Sequence, residues 1–278
     1  MPTTYVNGIN LAYQRIGSGH PVLLISGAGY GGWFWHKIAP GLGRHYNVWI
    51  PDPRGSGESS KPSGPYSVEM LAADMGDFLD RIQVRGAFVV GHALGAYVAQ
   101  HLAIHRPELI GKLVIAAGNF GGTNVVPIDK DAYEQLTSEE GTPVELVRQR
   151  IAVSTAPGFV DKHPEAVEEL VEYWLSDRVP STAYQAQVSA GVAMISEEAS
   201  FEEQLSQVTA PALILFGEDD RVVPPANADL LAERLPEAQV SLIGDAGHLF
   251  PLEASEATVK VLTEFFGTLK YPAEGTKN

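Results

Sequence analysis

The sequence predicts an α/β fold: a mostly parallel central sheet flanked by helices, with a helical lid inserted between two core strands. Three observations predict it. Short apolar runs rich in branched residues alternate with stretches of helical periodicity. The alternation breaks between about Gly118 and Gln207, where only amphipathic helices can be read. It resumes with Leu213-Ile214-Leu215-Phe216. The expected organisation is a core domain of residues 1–117 and 208–278 around a lid of residues 118–207.

Taken in order, Tyr5-Val6 and Leu11-Ala12-Tyr13 flank Asn7-Gly8, a pair suited to a tight hairpin turn. Val22-Leu23-Leu24-Ile25, Val48-Trp49-Ile50, Ala87-Phe88-Val89-Val90 and Leu113-Val114-Ile115 read as buried strands. Leu71, Met75, Phe78, Leu79 and Ile82 recur at helical spacing, as do Val259, Leu262 and Phe266 near the end. Inside the inserted block, Thr142-Pro143-Val144-Glu145 is a capping-box start, and Val167, Leu170, Val171 and Trp174 line one helix face. The tail from Tyr271 to Asn278 is polar and reads as loose.

Composition narrows the function. A chain of 278 residues, 45% hydrophobic, can bury a large core. A formal charge of −15 argues against a nucleic-acid surface, which needs clustered Lys and Arg. With no cysteine there is neither a disulfide nor a thiol nucleophile. The first residues lack a signal-peptide pattern, and no apolar stretch approaches the ~20 residues of a spanning helix. The expectation is a cytoplasmic protein that acts on a small molecule without cofactor, metal or membrane partner. His101 and His105 are four apart on a helix, but no third ligand accompanies them.

The chemistry lies on loops that follow strands. Gly91-His92-Ala93-Leu94-Gly95 stands between a strand and a helix carrying Ala96, Ala99, Leu102 and Ala103 on one face. That is the context of a nucleophile elbow, with flanking glycines that let strand and helix approach. The Leu94 amide at the helix start then faces a developing oxyanion. A second donor is expected from Ser26-Gly27-Ala28-Gly29-Tyr30-Gly31-Gly32, at Ala28; this loop matches no nucleotide-binding pattern. In Gly217-Glu218-Asp219-Asp220, Asp220 is the favoured acid by its spacing from Gly217. His248, in Gly244-Asp245-Ala246-Gly247-His248, is the histidine on a loop beyond a late strand.

The order elbow, acid, histidine resembles the α/β-hydrolase superfamily over nearly the whole chain. Asp52-Pro53-Arg54-Gly55-Ser56-Gly57-Glu58-Ser59 resembles that family's structural loop after an early strand. The departure is Ala93: a methyl group cannot attack a carbonyl, and Ser26 and Ser56 stand outside any Gly-x-Ser-x-Gly context. Two explanations stay open. Serine was replaced at position 93 in a serine hydrolase, or alanine is native. Leu24-Ile25-Ser26-Gly27 and Gly91-His92-Ala93-Leu94-Gly95-Ala96 look like the aminoacrylate (carbamate) hydrolases of pyrimidine breakdown, a resemblance that implies alanine at the elbow and His248, oriented by Asp220, activating water.

The expected activity is hydrolysis of an ester, lactone or related carbonyl compound. The alternatives are cofactor-independent oxygenation or C–C cleavage by the His–Asp pair, and a non-catalytic binding protein. Tyr30, Trp33, Asn119, Trp174 and Phe250 are the candidate substrate-binding residues. No basic cluster lies near these loops in sequence, which disfavours a strongly anionic substrate.

Overall fold

In the computed structural model, which describes residues 1–267 apart from Glu139, Arg178 and Pro236, eight strands form one sheet. They are β1 (Thr3–Val6), β2 (Ile9–Ile16), β3 (Pro21–Ile25), β4 (Asn47–Pro51), β5 (Ala87–His92), β6 (Ile110–Ala116), β7 (Ala212–Gly217) and β8 (Gln239–Ile243), in the spatial order β1-β2-β4-β3-β5-β6-β7-β8. The first two pairings are antiparallel and the remaining five parallel. Asn7 (φ 39°) and Gly8 (φ 82°) both take left-handed backbone, the requirement of the two-residue turn that joins β1 to β2.

The helices are α1 (Ala39–Leu42), α2 (Val68–Arg81), α3 (Leu94–His105), α4 (Lys130–Thr137), α5 (Pro143–Ser154), α6 (Phe159–Lys162), α7 (Pro164–Asp177), α8 (Ser181–Ala193), α9 (Asn227–Ala232), α10 (Phe250–Glu253) and α11 (Ser255–Phe266). Alternate residues of the central strands feed two cores. Leu23, Ile25, Val89, Leu113 and Ile214 pack with α2, α3 and α9 on one face. Val22, Leu24, Val90, Val114 and Leu213 pack on the other with α1, α11 and the buried sides of α5 and α7. Both faces are covered, so these strands read as continuous apolar runs without alternation. The edge strand β8 differs, leaving Val240 and Leu242 exposed.

The predicted helical segments form as expected. Ser67 caps α2 by accepting from the Met70 amide, and Leu71, Met75, Phe78 and Leu79 go into the core, each worth roughly 1.5–3 kcal/mol of burial. The Thr142–Glu145 capping box starts α5. Among the described residues no strand interrupts the helices α4 to α8 that lie between β6 and β7. Tyr271–Asn278 lies outside the described residues. No described helix is long and apolar enough to cross a membrane.

Candidate active site

Strand β5 ends at a turn whose centre is Ala93, with φ 51° and ψ −114°. A residue with a Cβ rarely adopts such backbone, and holding it costs on the order of 1–3 kcal/mol. The turn is pinned on both sides: the Ala93 amide donates to the Ala116 carbonyl at 3.0 Å, and the Ala96 amide to the Ala93 carbonyl at 2.9 Å. Gly91 and Gly95 are needed because a Cβ at either would collide with backbone oxygen, of Gly95 and Ile25 respectively. The turn sets the Ala93 methyl against the loop after β3, where a Cβ at Gly27 would stand 3.1 Å from it, and leaves the Leu94 amide at the start of α3, donating to no group among the described residues.

The loop after β3 is held by acceptors that engage four of its amides. Gly29 N–H donates to Gln187 Oε1 (2.8 Å), Tyr30 N–H to the Gly27 carbonyl (3.4 Å), Gly31 N–H to Asp177 Oδ2 (2.7 Å) and Gly32 N–H to Asp52 Oδ1 (2.6 Å). The Ala28 amide has no such partner among the described residues. The Gly27 amide is also without a partner among the described residues, so amides of this loop and of Leu94 stand unengaged on either side of the elbow, the arrangement expected of an oxyanion site. The two loop serines are engaged elsewhere: Ser26 Oγ donates to the Tyr30 carbonyl, and Ser56 Oγ accepts from Gln187 Nε2.

His248 and Asp220 meet beside the elbow, with the His248 ring centre 4.7 Å from that of His92. His248 Nδ1 lies 2.8 Å from Asp220 Oδ2, and Asp220 Oδ1 accepts the Val222 and Val223 amides at 2.8 Å each. A carboxylate on Nδ1 puts the ring proton there and leaves Nε2 as the base. Both side chains are buried, whereas Asp219 is exposed.

Two further residues fix this arrangement, and neither carried a signal in the sequence beyond adjacency to a motif. His92 is fully buried, and its Nε2 lies 2.8 Å from the His248 carbonyl; a carbonyl only accepts, so Nε2 carries the proton. Burial, then the neighbouring His248 charge, holds the His92 pKa well below the usual imidazole range, so the ring stays neutral. Glu253 accepts the Gly247 amide (3.0 Å) and the Ala156 amide (2.7 Å), bracketing the histidine loop. Burial raises its carboxyl to about 7, against the two amides that favour the anion.

The candidate pocket residues divide. Tyr30, Trp33 and Trp174 come together beside the oxyanion loop, with ring centres 4.7 Å (Tyr30–Trp174), 5.6 Å (Tyr30–Trp33) and 6.5 Å (Trp33–Trp174) apart. Asn119 Oδ1 accepts from the Tyr97 hydroxyl and from the Gly121 amide, which ties that oxygen to its own loop. Phe250 is core: it is fully buried and packs 6.1 Å from the His92 ring, because α10 turns it inward under the histidine loop. A cavity of about 10 Å³, room for about one water, lies among Ser26, Gly27, Leu94, Gly95, Met75 and Gln187. Its walls include neither residue 93 nor His248, so it is a packing void beside the loop. Among the described residues no group of three or more His, Asp or Glu converges to hold a metal.

The sequence matches the model of the alpha/beta hydrolase fold over residues 20–255, and the chain belongs to that family. Of the proteins it is similar to, one designated a carbamate hydrolase, RutD of Azorhizobium caulinodans, is 26% identical over 271 residues, covering 97% of this chain and 99% of the relative. The 3-oxoadipate enol-lactonase 2 of Acinetobacter baylyi is 31% identical over 216 residues, 76% of this chain and 75% of its own. A solved meta-cleavage product hydrolase of Pseudomonas fluorescens superposes with a TM-score of 0.81 at 21% identity, covering 96% of this chain and 97% of the other. That likeness is one of fold.

Proposed function

We propose that this chain hydrolyses a small ester, lactone or related carbonyl compound by direct attack of water. His248 Nε2 takes a proton from water as its oxygen bonds to the carbonyl carbon. The carbonyl oxygen takes up negative charge against the Ala28 and Leu94 amides, and Asp220 stabilises the imidazolium. Collapse of the tetrahedral adduct breaks the bond to the leaving group, which receives the proton from His248. Residues 118–207 serve as the lid, with Trp174 facing Tyr30 and Trp33 over the entrance.

The observation that carries this reading is the 2.8 Å His248–Asp220 pair set beside an elbow that bears only a methyl group. Relatives named as a carbamate hydrolase and an enol-lactonase support hydrolytic chemistry at an acyl carbon. The strain at Ala93 favours a second reading, in which the turn was shaped to present a serine and alanine has replaced it. Progress curves with p-nitrophenyl esters and lactones at pH 8 separate the two. Water attack gives turnover without an initial burst and no labelling by a fluorophosphonate. A chain inert to the whole panel overturns the proposal and leaves the replaced-serine reading.

A further inference from the structure

Arg150 is the cation near the site that the hydrolytic reading leaves unused. Two residues earlier on α5, Arg148 grips Glu168 through two 2.6 Å hydrogen bonds at the surface. Arg150 makes no ion pair with any described residue, although the chain holds 34 acidic side chains against 19 basic ones. Its Nε is buried and has no hydrogen-bond partner among the described residues. A guanidinium N–H left unpaired away from water costs on the order of 1–3 kcal/mol, which a ligand offering an acceptor would recover.

The surroundings of Arg150 favour such a ligand. The Arg150 guanidinium carbon lies 5.1 Å from the centre of the Tyr184 ring on α8. Tyr184 in turn abuts the oxyanion loop so closely that a Cβ at Gly29 would stand 2.8 Å from its Cε2. Tyr30 of that loop is buried, which pushes its phenol up; Tyr184 adds to that shift and the Arg150 charge opposes it. Neither phenol hydroxyl has a hydrogen-bond partner among the described residues. The far end of α5 touches the histidine loop, where the Leu249 amide donates to the Ser154 carbonyl at 3.0 Å. The backbone of Arg150 is therefore about one helical turn from the contact of α5 with the histidine loop, and its guanidinium lies against Tyr184, which abuts the loop after β3.

We propose that Arg150, with Tyr184 and Tyr30, binds a carboxylate of the substrate, so that the compound hydrolysed carries an anionic group beside its reacting carbonyl. The position of that carbonyl rests on the hydrolytic reading above; the anion subsite itself does not. A planar carboxylate suits one guanidinium fork flanked by neutral hydroxyls. A phosphate dianion calls for more positive charge than one arginine supplies. This revises the expectation drawn from basic residues near the loops in sequence: the cation comes from α5, more than a hundred residues from Tyr30.

The test is equilibrium binding without turnover, read by the fluorescence of Trp33 and Trp174, which neighbour Tyr30. Hexanoate and phenylacetate are titrated beside hexanamide and phenylacetamide, on the chain as it stands and on its Arg150→Leu, Arg150→Lys and Tyr184→Phe variants. The expected result is saturable binding of the carboxylates, at least tenfold tighter than of the amides. Arg150→Leu should lose about tenfold or more for the carboxylates with the amides unchanged, which also shows that it folds, and Arg150→Lys should recover part of the loss. Equal binding of acid and amide, an unaffected Arg150→Leu protein, or no carboxylate binding at all overturns the subsite. Carboxylate binding through Arg150 in a chain that hydrolyses nothing sinks the hydrolytic reading and leaves the subsite. Ester turnover with no role for Arg150 does the reverse.

Discussion

The half of the site built by the sheet hangs from strand ends, whereas the half built between β6 and β7 hangs from side chains. Ala93, Asp220 and His248 follow β5, β7 and β8, and the backbone around them has little freedom. Gly91 and Gly95 leave no room for a Cβ, and Gly217 would drive one into the carbonyls of Ala246 and Gly247. The helical half reaches the loops after β3 and β4 through two polar struts. Asp177 of α7 accepts the Gly31 and Gly57 amides and Trp33 Nε1, and Gln187 of α8 spans Gly29, Arg54 and Ser56. Change should be tolerated unequally: the strand-end turns leave no room for a Cβ, whereas the loops after β3 and β4 meet the helical half through side chains that can be replaced one at a time.

The largest break should come at the rigid half. Replacing His248 by alanine removes the general base and should lower kcat by about 10²–10⁴-fold. Asp220→Asn, which leaves the ring in the wrong tautomer, should fall in the same range; both are read from steady-state rates, and a loss below tenfold contradicts the assignment. Next come the glycines. Gly95→Ala must push its methyl into the Ile25 carbonyl and should cost about 1–3 kcal/mol or more in urea unfolding. Gly191→Ala on α8, whose nearest neighbour would be Leu94 Cδ1 at 3.7 Å, should instead gain up to about 1 kcal/mol. Equal effects at the two positions would erase the contrast between the halves.

Cutting the struts should have a smaller and more local effect. Gln187→Ala leaves the Gly29 amide without its acceptor and should cost about 1–3 kcal/mol. Its signature is faster hydrogen exchange in α7 and α8 with β5 and β6 still protected. The smallest effect is a pH slope. With the Glu253 carboxyl raised to about 7 from 4.5, the folded protein holds a proton that the unfolded chain releases earlier. The group's contribution is therefore complete below about 4.5 and is lost as pH rises through about 7. Thermal melts across that window should show a decline that Glu253→Gln flattens; identical slopes in both proteins would remove the proton from Glu253.

The strand-end half of the site was legible in the sequence, because a strand, a short loop and a characteristic residue leave a local pattern. Ala28, Ala93 with Leu94, Asp220 and His248 follow β3, β5, β7 and β8 as the patterns placed them in the chain, and their roles are those proposed above. What escaped was set by tertiary approach. Arg150 stands in no motif of the sequence, and only the packing of α5 near the histidine loop and Tyr184 brings it close to the loop after β3. Phe250 follows His248 closely in sequence, which suggested a pocket wall, yet α10 turns it into the core. Asn119 was placed near the site by its position past β6, but its side chain closes its own turn with Tyr97 and Gly121.

On the proposed mechanism the nucleophile is water activated by His248. That mechanism is tested most directly by assaying the chain beside its Ala93→Ser variant on the same esters and lactones. The account predicts burst-free turnover by the alanine form, dependent on His248, with serine bringing fluorophosphonate labelling at position 93 but no large gain in steady-state rate. An inert alanine form beside a serine form faster by orders of magnitude would contradict it, and would show the elbow to be that of a serine hydrolase deprived of its nucleophile.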